Sequence, residues 1–261
     1  MNGLDLFSGI GGLTSALMPW VRPVAYCEID RFCQAVLLSR MADGRLPVAP
    51  IWDDVARLGA AQLPPVDIIY GGFPCQDLSC AGNGAGLAGE RSGLFFEVEG
   101  LAREIRPRFV FLENVPAIRT RGADVVVGRL AGLGYDCRWG VLSAFDVGAP
   151  HLRERWWLLA HAQGIDTSGQ GREGEGLPAF RSLDNSLCGR HGVPRGSLCS
   201  GRDRPEHPSW WTTEPDVGRV ADGVSARVDR LRGLGNGVVP AAAREAFRRL
   251  MGIQSESGSD T

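Results

Sequence analysis

The sequence predicts an α/β fold, and three observations predict it. Short apolar runs bounded by turn residues recur along the first 160 residues and alternate with helical stretches. The first run, residues 3–7, ends in a glycine-rich loop that opens onto a helical pattern, the opening unit of a nucleotide-binding α/β sheet. A later run, residues 68–70, gives way to Gly71-Gly72-Phe73-Pro74-Cys75. Two glycines let the backbone leave the sheet at angles other residues resist, and Pro74 fixes its direction just before the cysteine. A thiol is thus presented on a stiffened elbow at the expected C-terminal edge of a sheet, where open α/β folds place their chemistry, and Cys75 is read as a nucleophile. At 261 residues the chain suits one large domain, or one domain with an insert.

Composition narrows the function classes. Hydrophobic content of 44% and charge of 22% are those of an ordinary soluble protein. A formal net charge of −2 gives no bulk attraction to nucleic acid, although a local patch would suffice. All 28 basic residues are arginines, good forks for phosphates and base edges, but a GC-rich coding sequence produces the same bias. The seven cysteines form no CxxC pair and no cluster with histidine at metal-ligand spacing, so neither a disulfide framework nor a metal site is expected. Met1 leads straight into an apolar strand without a basic flank, and no apolar run is long enough to span a membrane. A cytoplasmic protein with reduced thiols is expected.

Taken in order, residues 3–7 form a strand that ends in Ser8-Gly9-Ile10-Gly11-Gly12, with a helical pattern through Leu13, Leu17 and Met18. A second strand, 23–27, ends in Glu28-Ile29-Asp30, where a carboxylate is spaced to accept from ribose hydroxyls. Asp30 is expected to cap a helix over 31–40. A third strand, 51–55, carries Asp53 and Asp54. Acids at the ends of three consecutive strands, Asp5, Glu28 and Asp54, point to a nucleoside bearing hydroxyls and an amino group, because a diphosphate would prefer positive charge. Residues 79–93 contain five glycines and read as a loop, a candidate mobile cover for the thiol, before an amphipathic helix over 94–105. The strand 108–113 delivers Glu113 and then Asn114, and a carboxyl there acts as a general acid if its surroundings are apolar. A helix over 125–133 and a strand over 135–143 follow. The alternating Arg153 and Arg155 then enter a strand over 156–160, sharing one face suited to anion or carbonyl recognition. From 161 to about 220 periodicity disappears and Gly, Ser, Arg and Pro dominate. The chain closes with Gly235-Asn236-Gly237, a helix over 241–251 and a polar tail.

These blocks together resemble the DNA (cytosine-5) methyltransferases. The likeness lies in DLFSGIGG, CEID, WDDV, GGFPCQDLS, RSGLFFE, FLENV, FDVGAPHLRERWWLLA and GLGNGVVP, over nearly all of 3–160 and 231–250. The resemblance implies a Rossmann-like, mostly parallel methyltransferase sheet with helices on both faces, plus a small loop-rich target-recognition segment. Its expected division is 1–160 for the catalytic and cofactor core, 161–230 for target recognition, 231–252 for a motif and helix returning to the core, and 253–261 for a disordered tail.

The resemblance also implies S-adenosylmethionine as cofactor, with Asp5, Phe7, Ser8, Gly9, Gly11, Gly12, Glu28, Ile29, Asp54 and Asn236 around it. Phe7 would stack on adenine, Glu28 bind the ribose, and Asp54 (or Asp53) accept from the adenine amino group. Cys75 would add to carbon 6 of a flipped-out cytosine, with Glu113 at ring nitrogen 3. Asn114 would orient the base or the acid, Arg155 would contact the cytosine carbonyl, and Arg153 would lie nearer the thiol and phosphate. Phe73, Pro74, Gln76 and Ser79 would lie on the base side, and 76–93 would cover it. The implied partner is double-stranded DNA with a short target, reached by a monomer without metal or membrane, in a restriction–modification, solitary or phage setting. A cognate restriction endonuclease accompanies the first of these.

Two departures stand out. His151 takes the place of a usual glutamine, and the recognition segment is short, with Arg181, Arg190, Arg195, Arg202 and Arg204 as candidates for DNA contact. Two alternatives differ in class: a tRNA-acting relative, whose Cys-Phe-Thr signature is missing between 160 and 231, and a decayed DNA-binding relative.

Overall fold

A computed structural model of the protein describes residues 1–74, 93–164 and 237–253. Its strands are β1 (Asn2–Leu6), β2 (Arg22–Cys27), β3 (Ile51–Trp52), β4 (Ile68–Gly72), β5 (Phe109–Asn114), β6 (Tyr135–Ser143) and β7 (Glu154–Ala162). They form one sheet in the order β3-β2-β1-β4-β5-β7-β6. The pairings from β3 through β5 are parallel, while β7 runs antiparallel to both β5 and β6. This is the expected mostly parallel methyltransferase-type α/β sheet.

Alternation along the strands divides the core. In β5, Val110 and Leu112 face one side while Phe109 and Phe111 face the other; in β7, Trp156 and Leu158 oppose Trp157 and Leu159. Both faces are covered, so these strands read as continuous apolar runs. One face is packed by α3 (Leu94–Ile105) and α4 (Ala123–Gly132), through Phe95, Val98, Leu101, Val126 and Leu130. The other carries α1 (Gly12–Leu17) and α5 (Pro240–Met251), through Leu13, Leu17, Ala243 and Phe247. A smaller cluster joins Tyr26 of β2 to Leu37 and Met41 of α2 (Arg31–Ala42).

Local chemistry explains the boundaries. Asp30 caps α2, accepting from the Phe32 and Cys33 amides at 2.9 and 3.1 Å. Pro240 starts α5, where its missing N–H costs nothing, and Gly252 ends it with φ 72°. The third strand is shorter than expected: pairing stops at Trp52, and Asp54 accepts from the Ala56 amide at 3.0 Å to cap a 3-10 turn, Val55–Arg57. Conversely, β7 begins two residues before the expected start and takes in Arg155. Most of 161–230 and the tail from 254 onward lie outside the described residues. Among the described residues no helix is long and apolar enough to cross a membrane, and no group of three His, Cys, Asp or Glu could hold a metal ion.

Helix α5 is anchored by Phe247, which is fully buried and meets Trp20 at 5.4 Å and Phe111 edge-on at 5.1 Å between ring centroids. Phe111 in turn stacks on Trp157 at 5.7 Å. Phe247→Ala should cost about 3–5 kcal/mol of stability, read as a lower urea midpoint, because the surrounding rings belong to different elements and cannot collapse together into the space.

Candidate active site

Parallel strands β1, β2, β4 and β5 end at one edge of the sheet, and the antiparallel β7 begins there. Most of the candidate side chains that the structure describes gather along that edge.

On the β1–β2 half, Ser8 locks the glycine loop to β2: its amide and hydroxyl donate to the Cys27 carbonyl at 3.0 and 3.3 Å. Gly11 is left-handed at φ 83°, and a Cβ there would lie 2.5 Å from Leu46, so glycine is required. Glu28, only 8% exposed, accepts from the Gly9 amide at 2.6 Å and from the Asp30 amide at 2.8 Å. The loop's N–H is therefore turned into a carboxylate, the reverse of a phosphate cradle. Each Glu28 oxygen keeps a further lone pair for a hydroxyl donor. Phe7 sits at φ 54° and packs partly buried against the core, while Ile29 stands 75% exposed beside Glu28. Asp53 is exposed; Asp54 is partly engaged by Ala56 and by Arg57 at 3.5 Å. Behind the loop, a Cβ on Gly12 would lie 3.1 Å from the Val238 carbonyl, so the segment leading into α5 rests on the first motif.

Asp5 does not join this rim. Strand alternation points it under α1, where it is fully buried: Oδ2 accepts from the Thr14 hydroxyl at 2.6 Å, and Thr14 lies 2.7 Å from the Tyr70 hydroxyl. Among the described residues its Oδ1 has no hydrogen-bond partner, and burial pushes the carboxyl up to about 8, with Thr14 opposing the shift and Glu28 adding to it. The expectation that three strand-end acids converge on a ligand is corrected to two elements, Glu28 and the Asp53–Asp54 pair.

On the β4–β5–β7 half, Gly72 pairs with Glu113, and a Cβ on Gly72 would lie 2.7 Å from Glu113 Oε2. The Arg155 Nε meets Glu113 Oε1 at 2.7 Å. Burial raises the Glu113 carboxyl above its ordinary range, and the two arginines Arg155 and Arg153 pull the other way without cancelling it. Arg153, at φ 32°, donates from Nη2 to the Gly237 carbonyl. Asn114 is 3% exposed, donates to the Phe73 carbonyl at 3.1 Å, and accepts from the Val115 amide at 2.8 Å. It fixes the backbone that leads into Pro74, rather than reaching outward to a base or an acid. Phe73 is a core residue, 3% exposed, with its ring 5.6 Å from that of Phe95. Pro74 is half-buried at the rim. Cys75, Gln76, Ser79, Asn236 and the loop 76–92 lie outside the described residues.

The structure also places residues that the sequence reading passed over. Arg40 of α2 donates to the Ile10 carbonyl at 2.7 Å, and Gln34 to the Glu28 carbonyl at 2.6 Å. Both bind main-chain oxygens, a partnership with no sequence signature.

Residues 1–186 match the family model described as C-5 cytosine-specific DNA methylase. The chain belongs to this family. It is 37% identical over 159 residues to Type II methyltransferase M.CviJI of Paramecium bursaria Chlorella virus IL3A, covering 60% of this chain and 42% of that one. To Type II methyltransferase M.NgoBI of Neisseria gonorrhoeae it is 29% identical over 219 residues, covering 80% and 67%. The fold is similar to that of the S. pombe Dnmt2 methyltransferase, with TM-score 0.53 and 22% identity over 76% of this chain and 58% of that one. The chain spans less than half the length of the first curated relatives it matches: 42%, 44% and 49%. Glu28 follows β2 and Glu113 lies in β5, and the β1–β4 pairing joins the two halves of this edge.

Two outcomes test this geometry. The folded chain holds a proton on Asp5 more tightly than the unfolded chain does, so this group's contribution to stability is full below about pH 4. It falls as pH rises toward about 8, by up to about 1.4 kcal/mol per unit. Asp5→Asn should flatten the fall in melting temperature between those pH values. Separately, Gly72→Ala should cost about 1–3 kcal/mol by crowding Glu113, whereas Gly100→Ala, with open space around its Cβ in α3, should gain about 0.5–1 kcal/mol in urea unfolding.

Proposed function

We propose that the chain is a DNA cytosine-5 methyltransferase that uses S-adenosylmethionine and forms a transient bond from Cys75 to a cytosine swung out of its duplex. The observation that carries the reading is Glu113: a carboxyl kept toward its protonated form by burial, oriented by Arg155, on the strand beside the one that leads into Pro74-Cys75.

The β1–β2 half suits the cofactor. Glu28 offers carboxylate lone pairs to ribose hydroxyls, Phe7 and Ile29 offer apolar surface to an adenine, and Asp54 or Asp53 offers an acceptor to its amino group. The acidic rim and the occupied Gly9 amide disfavour a diphosphate and tolerate a cationic sulfonium. When bound, S-adenosylmethionine supplies a methyl group on a positively charged sulfur.

The chain's own residues do the rest. The Cys75 thiolate adds to carbon 6 of the pyrimidine, and the electron pair displaced onto the ring is met at nitrogen 3 by the Glu113 proton. Carbon 5 then carries enamine character and is nucleophilic enough to accept a methyl group. A base takes the carbon-5 proton, β-elimination expels the Cys75 thiolate, and nitrogen 3 returns its proton to Glu113, which restores the aromatic ring and the acid. Asn114 holds the Phe73 carbonyl and so sets where the elbow points. Arg155 pairs with the Glu113 carboxyl and would contact the cytosine carbonyl. Residues 161–230 would read a short double-stranded target, with the chain acting as a cytoplasmic monomer, alone or beside a cognate restriction endonuclease.

Expression in a methylation-free host followed by bisulfite sequencing should reveal 5-methylcytosine in one consistent context. Cys75→Ser should abolish it, and Glu113→Gln should slow transfer by about a hundredfold or more. Methylation confined to tRNA, or none despite cofactor binding, would overturn the proposal.

A further inference from the structure

Arg153 stands where the two halves of the site meet. Its φ of 32° is a left-handed conformation that side chains with a Cβ rarely adopt, and such a conformation persists only where the surroundings hold it. From that position Nη2 donates to the carbonyl of Gly237, 84 residues along the chain. Gly237 follows Asn236 and precedes Val238, whose backbone covers Gly12 of the glycine loop. The same half-buried guanidinium is close enough to Glu113 for each charge to act on the other: Arg153 favours the ionised carboxylate, and Glu113 supports the guanidinium against burial and the like charge of Arg155. Arg155 is the direct ion-pair partner of Glu113, so the hydrogen bond to Gly237 distinguishes Arg153 from it.

We infer that Arg153 is a positioning residue that joins the seat of the C-terminal segment on the glycine loop to the electrostatics of Glu113. The wiring stands on the hydrogen bond and the charge placement; its value to the reaction rests on the methyl-transfer reading. One guanidinium fixes the chain at the cofactor side and biases the acid on the base side, so neither can be altered through it alone.

The test uses the full chain and three variants: Arg153→Ala, Arg153→Gly, whose backbone accepts the left-handed conformation without strain, and Arg153→Lys. In the free protein, the Ala and Gly variants should lose about tenfold of the hydrogen-exchange protection of amides in 237–243, the consequence of removing one charge-assisted hydrogen bond. In the same two variants the Glu113 carboxyl, followed by 13C NMR and assigned with Glu113→Gln, should titrate at higher pH, because a cation that favours ionisation has gone. Arg153→Lys should return the Glu113 titration to the wild-type value while recovering only part of the protection. Wild-type protection, or a wild-type Glu113 titration, in both the Ala and Gly variants would overturn the inference. Calorimetry with S-adenosylhomocysteine separates the two readings: binding about tenfold weaker in the Ala and Gly variants supports both. A wild-type chain that fails to bind it sinks the methyl-transfer reading alone and leaves exchange and titration to decide this one.

Discussion

Nearly buried Glu113 and partly buried Arg155 meet at 2.7 Å, and the direction of β7 is what brings them together. In a sheet whose strands all ran one way, the first residues of β7 would lie at the opposite end from the last residues of β5, about 20 Å off for strands of this length. Because β7 is antiparallel, Trp157 and Trp156 pair with Glu113 and Asn114, and the residue just before them, Arg155, falls at the edge where Glu113 emerges. A largely buried pair of this kind adds little net stability, since removing charge from water roughly offsets the attraction. Gly72 is shaped to the same end: any larger residue would press on the carboxylate. The ion pair and the glycine beside it thus shape the setting of one carboxyl more than they stabilise the sheet.

The edge is also divided by sign. Over β2 and β3 stand Glu28, Asp53 and Asp54; over β7 stand Arg153 and Arg155. A net charge near neutrality conceals this arrangement, because the two groups cancel in the sum while acting at different places. Hydroxyl donors and a cation fit the first half, and carbonyl and anionic groups fit the second. The glycine loop between them is not the neutral platform its sequence suggests, because its Gly9 amide is already bound to Glu28.

Much of this was legible in the sequence where one local rule governed. The amphipathic helix expected over 94–105 and the strand expected over 135–143 coincide with α3 and β6. The sequence also indicated that Glu28, Glu113, Arg153 and Arg155 belong at strand ends, since strand periodicity and turn residues mark those ends. It misled at Asp5 because position along a strand was weighed without the alternation of faces, and one residue's shift sends a side chain beneath α1. At Asp54 an acid that reads as a strand end is a cap. Phe73 sits in a motif that advertises chemistry, yet its ring packs against Phe95 and its carbonyl is held by Asn114. Side-chain bonds to distant main-chain oxygens, those of Asn114, Arg40 and Arg153, follow from the fold and leave no pattern in the chain that could announce them.

The return of the C-terminal helix joins stability to the site. Helix α1 is only six residues long and cannot cover the face formed by β4, β5 and β7. Helix α5 covers it, with Ala242, Ala243 and Ala246 allowing close approach to the sheet and Phe247 filling the space between Trp20 and Phe111. Arg244 then donates to the Ala16 carbonyl at 3.1 Å, binding α5 to α1 directly. The residues that lead into α5 have little freedom once it is docked: Val238 lies on Gly12, and Gly237 presents its carbonyl to Arg153. Burying the second face of the sheet and completing the rim of the site are therefore one event. A change that loosens α5 reaches Glu113 through Arg153 without touching β4 or β5.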